Sequence, residues 1–377
     1  MQIITLQSKI IFDNEEDKNK LIQILEAERT AFNYCANYQF GKKKNSIVEL
    51  HKNCYKPLRK LYPDFKAQII IKAENNCLSA YKSIKSNKHK IDKPIIKKRL
   101  STTFDQRLYS HKLIDEEHIF KLSTLEKRIS CKLKQYPKLE NYLKQYKFGD
   151  ILISVKGNDT IMSLFFKVDT PEVKNGLALG VDLGIRRFAA TSDGKLFIDK
   201  QFNKRKRELR YLKRVLRSKA NKGSKTAKKH LKKLSTKERN INHNFAHHLS
   251  NSILDTNCNT IVIEELNVKQ LKSKRKRYQN KNRISQVSLS NLKFILTYKA
   301  ALKGKRVASV SPYYTSQIDH TNGKTEGERI GCRFYSLNGL VYDADINAAI
   351  NIAKRSNLPI SQGNPLDGQG SIINPLR

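Results

Sequence analysis

The chain has few acidic residues, no long apolar run and no pattern of a secretion signal. Its 377 residues include 74 Lys and Arg against 34 Asp and Glu, a formal net charge of +40. No apolar run approaches the ~18 residues of a membrane-spanning helix, and the first residues lack a signal-peptide pattern. The positive excess is spread over most of the chain and exceeds what solubility requires. It therefore predicts nucleic acid, rather than a membrane surface, as the partner.

The cysteines are scattered, without a C-x-x-C pair. This spacing excludes both a disulfide framework and a regular metal knuckle. Isolated thiols with apolar neighbours are typical of a reducing cytosol, where Cys behaves as a small hydrophobic residue. We therefore expect a cytoplasmic protein. The six are Cys35, Cys54, Cys77, Cys131, Cys258 and Cys332.

Three short segments, far apart in the chain, each place an acidic residue beside an apolar run. The run Leu-Ala-Leu-Gly-Val ends at Asp182, the run Thr-Ile-Val-Ile ends at Glu264, and Asp345 lies in the first turn of a predicted helix. Converging carboxylates bind divalent cations, and a pair of cations hydrolyses phosphodiesters by activating water and neutralising the leaving oxygen. Oxygen ligands with retained waters suit Mg²⁺.

Each acid has a simpler interpretation or a competing neighbour. A strand that ends in Asp-x-Gly, as at Asp182, is usually just a strand that meets a turn. Glu265 follows Glu264 but should point to the other face of a strand. Asp343 competes with Asp345 for the third position, although the frame Asp-x-Asn-Ala-Ala favours Asp345.

The order Asp, Glu, Asp with these flanks resembles the RuvC-like nucleases of the RNase H superfamily. More closely, it resembles TnpB, a family of transposon-encoded RNA-guided nucleases related to the small type V CRISPR effectors. Residues 180–194 are similar to the family's first motif and residues 239–250 to the helix before its second. Residues 314–317 (Tyr-Thr-Ser-Gln) also stand in family order. The detailed match covers residues 177–353, and a looser match covers the N-terminal half, where residues 28–33 resemble the family's first helix. The resemblance implies a prokaryotic, nucleoid-associated protein.

The resemblance implies an RNA-guided DNA endonuclease that cuts target double-stranded DNA beside a short flanking motif. It assigns Asp182, Glu264 and Asp345 to catalysis and to the binding of two Mg²⁺ ions. The guide would be a structured RNA from the transposon end or a CRISPR locus. A nuclease-inactive RNA-guided repressor and a CRISPR-associated effector descended from TnpB remain alternatives. The older description of the family as transposases is less favoured, since no Tyr-His-His motif is apparent.

The fold class expected is α+β with several domains. Helical spacing between residues 13 and 99 and a period near two from 100 to 170 come from the sequence pattern. The closed barrel and the domain names come from the resemblance. The expected domains are a β-barrel wedge domain (1–12 and 100–170), a helical recognition insert (13–99), a RuvC-like nuclease domain (175–304 and 343–353), a degenerate zinc-finger-like nucleic-acid-binding insert (305–342) and a flexible tail (354–377).

TnpB relatives usually carry a four-cysteine knuckle before the final catalytic Asp, and this chain departs from that pattern. A closed structural zinc site needs about four N or S ligands. An irregular site built from Asp319, His320 and Cys332 is the alternative. We expect no structural zinc. The four aligned ligand positions hold Asp319, Asn322, Tyr335 and Asn338.

Basic residues are densest between residues 200 and 239, with 18 Lys or Arg and two acids among 40 residues. A solvated helical face is the usual explanation for such runs. Here the density would be self-repelling without a counter-charge, so phosphate contact is favoured. A second basic block spans residues 272–278. The candidate nucleic-acid contacts are Lys204, Arg205, Lys206, Arg207, Arg210, Lys213, Arg214, Lys272, Lys274 and Arg275.

Overall fold

The structure, a computed structural model, describes residues 1–42, 44–184, 187–265, 289–360 and 371–373. It divides into two compact units, Ile3–Val168 and Asp169–Arg377, with Met1 in the first and Gln2 in the second. Both helices and sheets are present, so the predicted α+β class is confirmed. None of the described helices is both long enough and apolar enough to cross a bilayer.

The first unit is built on a seven-stranded sheet with the order β2-β6-β7-β1-β5-β4-β3. The sheet curls, as one hydrogen bond across it shows. The Tyr109 hydroxyl, on the edge strand β3, donates to the carbonyl oxygen of Gly149, 2.5 Å away, on the strand next to the other edge. Within the described part of this unit no ladder joins β2 to β3, so the closed barrel stays a prediction. The strands are β1 (Gln2–Phe12), β2 (Ser101–Phe104), β3 (Tyr109–Ile114), β4 (Glu117–Ser123), β5 (Arg128–Leu133), β6 (Phe148–Lys156) and β7 (Asp159–Val168).

Three helices stand between β1 and β2, as the apolar spacing predicts. They are α1 (Glu15–Gln39), α2 (Ile47–Leu61) and α3 (Ala67–Ser86). The Asn14 side chain accepts from the Asp17 amide at 2.7 Å and so caps α1. A fourth helix, α4 (Pro137–Gln145), lies in a stretch where the sequence analysis found only strands. Proline at the first position of a helix is well tolerated, which explains where α4 begins.

The second unit contains a six-stranded sheet with the order β12-β11-β8-β9-β10-β16. Strand β11 is parallel to both β8 and β12, whereas β9 is antiparallel to both β8 and β10. Residues 371–373 pair with β10, within the segment where a flexible tail is expected. The strands are β8 (Ala178–Asp182), β9 (Ala189–Thr191), β10 (Lys195–Phe197), β11 (Thr260–Glu264), β12 (Arg306–Val310) and β16 (Ser371–Ile373).

Helices cover both faces of this sheet. Leu179 and Val181 of β8 pack with Phe245 and Leu249 of α6, and with α7 beside them. The opposite face packs on α8, where Ile352 meets Ala178 and Val262. The helices are α5 (Lys200–Asn221), α6 (Lys225–Leu254), α7 (Leu289–Leu302) and α8 (Ala344–Lys354).

A small three-stranded antiparallel sheet lies in the chain between β12 and α8. Phe334 and Tyr342 pack with Ala344 to form its core. Its last strand runs directly into α8, so the position of this sheet is fixed by the helix. The strands are β13 (Glu328–Ile330), β14 (Arg333–Tyr335) and β15 (Val341–Asp343).

Candidate metal centre

The parallel pair β8 and β11 brings two of the three acids to one edge of the sheet. Ile263 pairs with Val181, so the next residues, Glu264 and Asp182, end their strands side by side. Side chains alternate along a strand. Val262 packs on the α8 face, so Glu264, two residues on, points to the same face. This places both carboxylates beneath α8.

Helix α8 brings the third acid. Its contact with β8 is close because position 180 has no side chain. A Cβ atom added to Gly180 would lie 1.9 Å from the carbonyl oxygen of Ala349. With the helix this near the sheet, Asp345 in its first turn reaches the edge where Asp182 and Glu264 end.

The pKa of Asp182 reflects its burial and the nearby charges of the other two acids. Burial, which is the largest cause, and the negative charges of Glu264 and Asp345 together raise the pKa of Asp182 to about 7, against an opposing effect of Arg329. Burial also raises the pKa of Glu264, an effect opposed by a hydrogen bond from Thr315. A buried carboxylate whose neighbours are carboxylates is stabilised by a cation.

Two arginines supply positive charge beside Asp345. Arg329 Nη2 lies 2.6 Å from Asp345 Oδ1, and Arg187 Nη1 lies 3.3 Å from Asp345 Oδ2. The same Arg187 atom pairs with Asp343. Asp343 has a separate role as the N-cap of α8, where it accepts from the amides of Asp345 and Ile346 at 3.0 and 3.3 Å. Capping is a structural task, so Asp345 stays the predicted third acid of the cluster.

The donor set fits a hard divalent cation. Asp182, Glu264 and Asp345 offer only oxygen atoms, the ligands that Mg²⁺ prefers. In the ranges that the structure describes, no three His, Cys, Asp or Glu side chains lie close enough to hold a metal as they stand. In this arrangement the guanidinium groups of Arg187 and Arg329 are paired with Asp345. Glu265 is exposed, in keeping with its expected direction away from the cluster.

We expect Asp343 and Asp345 to differ sharply in a mutational test. Asp345→Asn should reduce DNA cleavage by about 10²-fold or more, because a ligand oxygen and its charge are lost. Asp343→Asn should retain most of the activity, since Asn caps a helix as well as Asp does. Cleavage rates of the two variants at saturating Mg²⁺ make the comparison. A larger loss for Asp343→Asn would make Asp343 the third acid.

Three of the four side chains at the aligned zinc-ligand positions accept hydrogen bonds instead. Asp319 is 1% exposed and accepts from the Thr321 amide and hydroxyl at 2.9 and 2.7 Å, as well as from the Ser336 hydroxyl. Asn322 and Asn338 accept from the backbone two residues on, at 2.8 and 3.4 Å, and so form turns. The Asp319–Ser336 bond therefore joins the two turns that hold the aligned ligand positions.

A zinc-free insert predicts a clear analytical result. The purified protein should hold less than stoichiometric zinc, and a zinc-selective chelator should change neither its melting temperature nor its cleavage in Mg²⁺. Asp319→Ala should instead destabilise the insert by about 2 kcal/mol, because three donors lose their acceptor. Elemental analysis and thermal melts measure both. One tightly held zinc per chain would show that Asp319, His320 and Cys332 form a site after all.

The basic residues of α5 do not share one environment. Lys206 is 7% exposed and donates to Asn242 at 2.7 Å, and burial lowers its pKa to about 8. Lys213 pairs with Glu238 at 2.6 Å. Both lysines link α5 to α6. Their role as phosphate contacts stays a prediction, and the burial of Lys206 makes it the least accessible of the candidates on α5. Arg210 is half-buried, and the exposed candidates are Lys204, Arg205, Arg207 and Arg214.

The second basic block, including Lys272, Lys274 and Arg275, lies outside the described residues. Sequence analysis did not find the roles of Arg187 and Thr315. Residues 314–317 were noted as a family motif, but a motif does not reveal which side chain its hydroxyl contacts. The ion pair of Arg329 with Asp345 joins the small sheet to α8 beside the acids.

Family models match two long segments of the chain. Residues 159–275 match OrfB_IS605, described as a probable transposase, and residues 290–352 match the TNB domain of Cas12f1-like proteins. The resemblance to TnpB is confirmed. The first of these segments includes Asp182 and Glu264, and the second includes Asp345. No curated protein sequence matches the chain significantly.

Solved structures share the fold of the TnpB-like chain. The Cas12f1 complex with sgRNA and target DNA matches with a TM-score of 0.62 and 15% identity, over 91% of this chain and 83% of that chain. The mini-RNA-guided endonuclease Cas_phi3 matches at 0.55 with 12% identity, over 97% and 93%. CasPhi-2 (Cas12j) bound to crRNA matches at 0.51 with 10% identity, over 97% and 99%. At these identities the comparison establishes the fold.

Proposed function

We propose that the protein is an RNA-guided, Mg²⁺-dependent DNA endonuclease of the TnpB type. The observation that carries the proposal is the convergence of Asp182, Glu264 and Asp345 at one edge of the second sheet, beneath α8. Two of them end neighbouring parallel strands, and burial together with the like charges raises the pKa of Asp182 to about 7. A perturbed carboxylate cluster of this kind is typical of a functional site.

The strand order supports a RuvC-like layout of the second unit. Strands β10, β9, β8, β11 and β12 follow one another across the sheet, with β9 antiparallel between β8 and β10 and β11 parallel between β8 and β12. This mixture of antiparallel and parallel strands, with helices on both faces, supports the RNase H-like layout that we propose for the second unit. Here the central strand is β8, which ends at Asp182.

The chemistry proposed needs no nucleophilic side chain. Asp182, Glu264 and Asp345 would hold two Mg²⁺ ions, which supply an activated water and charge neutralisation at the leaving oxygen. Arg187 and Arg329 keep positive charge at Asp345, and Arg329, 35% exposed at its side chain, would contact a backbone phosphate of the strand being cut.

Charge supports nucleic acid as the partner. The net charge of +40 and the exposed arginines of α5 provide backbone contacts that carry no sequence information. Base pairing with a guide RNA would read the target sequence, and the protein would read duplex shape and a short flanking motif. The structural relatives include complexes with sgRNA and target DNA or with crRNA, which fits this division.

Reprogrammed cutting is the direct test. RNA that co-purifies with the protein is sequenced, its guide segment is replaced, and the complex is offered plasmids with the matching target beside a randomised flank. We expect cleavage that requires Mg²⁺, a matched target and a particular flank. Target binding without cleavage would indicate a nuclease-inactive repressor. Absence of a bound RNA species would contradict RNA guidance altogether.

Salt dependence tests the basic surface of α5. The logarithm of RNA affinity falls by about 0.7–0.9 per neutralised phosphate for each decade of salt. Replacing Arg205 and Arg207 by Gln should therefore reduce the slope by about 1.5 if each contacts a phosphate. Lys132→Gln is the matched control, since Glu117 already pairs with this exposed lysine. Equal slopes for the wild type and the double variant would remove α5 from the interface.

A further inference from the structure

Helix α8 does more than carry Asp345. Asn347, Asn351 and Arg355, at the end of the helix, stand four residues apart, so they form one stripe. Asn347 Nδ2 donates to the Ile318 carbonyl at 2.8 Å, and Asn351 Nδ2 donates to the Thr315 and Ile318 carbonyls at 3.0 and 2.7 Å. Arg355 extends the stripe by donating to two further carbonyls of the same loop, at residues 311 and 313. The stripe fastens the loop that follows β12.

This loop is held in an otherwise unfavourable conformation. Tyr314 has a φ of 58°, in the left-handed region that a bulky side chain rarely adopts. Such a conformation persists when surrounding contacts determine it, and the stripe on α8 supplies them. Asn347 and Asn351 are 0% and 4% exposed, so their hydrogen bonds are shielded from water. The loop therefore has one defined position relative to α8.

That position brings one hydroxyl to the candidate metal centre. Thr315 is 2% exposed, and its Oγ1 donates to Glu264 Oε1. A threonine hydroxyl has a single proton to donate. The Glu264 carboxylate is the shorter of its two contacts, since the Pro312 carbonyl lies 3.4 Å away. The donation engages Oε1 and leaves Oε2 of the same carboxylate outside this bond. The same helix thus holds Asp345 directly and Glu264 through Thr315.

We infer that Thr315 is a positioning residue that orients the Glu264 carboxylate for metal binding, and that the Asn347–Asn351–Arg355 stripe holds Thr315 in place. The inference rests on the proposed function. Groups that hydrogen-bond to a metal-binding side chain typically change metal affinity or activity by 10- to 100-fold when they are removed. The hydroxyl, rather than the bulk of the side chain, carries the role.

A series of substitutions at position 315 separates the hydroxyl from packing. Thr315→Val keeps the volume and removes the donor, whereas Thr315→Ser keeps the donor. We expect Thr315→Val to raise the Mg²⁺ concentration for half-maximal cleavage by about 10-fold or more, with Thr315→Ser within about 3-fold of the wild type. Mn²⁺ binding to the full chain, followed by electron paramagnetic resonance, should weaken in the same order. This second readout does not depend on cleavage.

The control is Thr256→Val, which removes another buried hydroxyl that is bonded to a backbone carbonyl, at 2.9 Å, away from the acids. It should leave the Mg²⁺ requirement unchanged. If Thr315→Val does not fold, Thr315→Cys, with its weaker donor, should require more Mg²⁺ for half-maximal cleavage than Thr315→Ser and should bind Mn²⁺ more weakly. Equal metal responses of the Val variant and the wild type would overturn the inference, as would equal damage by Val and Ser. A wild type that never cuts would refute the proposed nuclease, while Mn²⁺ binding would still decide the role of Thr315.

Discussion

Asp182→Asn is expected to reduce target cleavage by about 10³-fold or more while leaving guide RNA binding intact. The loss follows from the proposed role of Asp182 in holding the metal ions, because a neutral amide lacks the negative charge that would bind a divalent cation. RNA binding should persist because one carboxylate changes little on a surface with a net charge of +40. Single-turnover cleavage and filter binding on the same preparation measure both effects.

The same substitution should stabilise the metal-free protein in a pH-dependent way. The pKa of Asp182 is raised from 3.8 to about 7, so between these values the native state binds more protons than the unfolded state. The free energy of unfolding of the wild type therefore falls as pH rises from about 4 to 7, by up to about 4 kcal/mol. Asn does not titrate, so the free energy of unfolding of Asp182→Asn should rise relative to that of the wild type over this window. The difference between the two proteins should be near zero at pH 4 and largest above pH 7.

Denaturant titrations at pH 4 and pH 8, with and without Mg²⁺, give the measurement. Mg²⁺ should reduce the difference in unfolding free energy between the variant and the wild type at pH 8, because it binds the wild-type site and not the variant. Asp255→Asn is the control, since the Asp255 side chain is 67% exposed. Cleavage by Asp182→Asn at the wild-type rate would remove Asp182 from the centre. A variant less stable than the wild type at pH 8 would contradict the repulsion among the acids.

Local patterns predicted those parts of the site that lie at the ends of regular elements. Asp182 and Glu264 end apolar runs of strand period, and Asp345 opens a helix with its own frame. These signals depend on neighbours in the chain, and the structure brings the three residues together. The flanking motifs also identified the TnpB relationship, which the family models confirm.

The contacts that join distant segments were beyond such patterns. Arg187 meets Asp343, 156 residues away in the chain, and no periodicity relates the two. Thr315 reaches Glu264 through a loop whose shape depends on side chains of α8. Lys206 reads as one of many basic residues, yet the packing of α5 on α6 buries it. In each case the environment is set by tertiary contacts, which composition does not encode.

The insert at residues 305–342 also depends on contacts between segments that local sequence patterns do not reveal. The sequence analysis recognised that zinc ligands are missing, but it did not show what replaces them. The replacement is a buried carboxylate, Asp319, whose acceptor capacity is used by Thr321 and Ser336. Hydroxyl and amide donors are common in loops, so their pairing cannot be read from spacing alone. It requires the two turns to be seen side by side.

Gly180→Ala is expected to damage both stability and cleavage, although it adds a single methyl group. The added Cβ would lie 1.9 Å from the carbonyl oxygen of Ala349, and 2.7 and 2.9 Å from the amide nitrogen and Cβ of Ala353. These are backbone atoms and a Cβ, which no rotamer change can move away. Helix α8 must therefore shift outward from β8. Overpacking of this kind costs about 3 kcal/mol of unfolding free energy or more.

The shift also predicts the functional loss. Asp345 lies in α8, whereas Asp182 ends β8, so an outward movement of the helix separates the two carboxylates. A misplacement of about 1 Å at a catalytic centre costs roughly 10²-fold in rate. Gly149→Ala is the matched control, because a Cβ at that strand position of the first unit meets nothing within 4 Å. Its melting temperature and cleavage rate should stay close to those of the wild type. If Gly180→Ala melted and cut like the wild type, then α8 does not approach β8 as the structure shows. The link from Gly180 through the helix to the position of Asp345 would be lost with it.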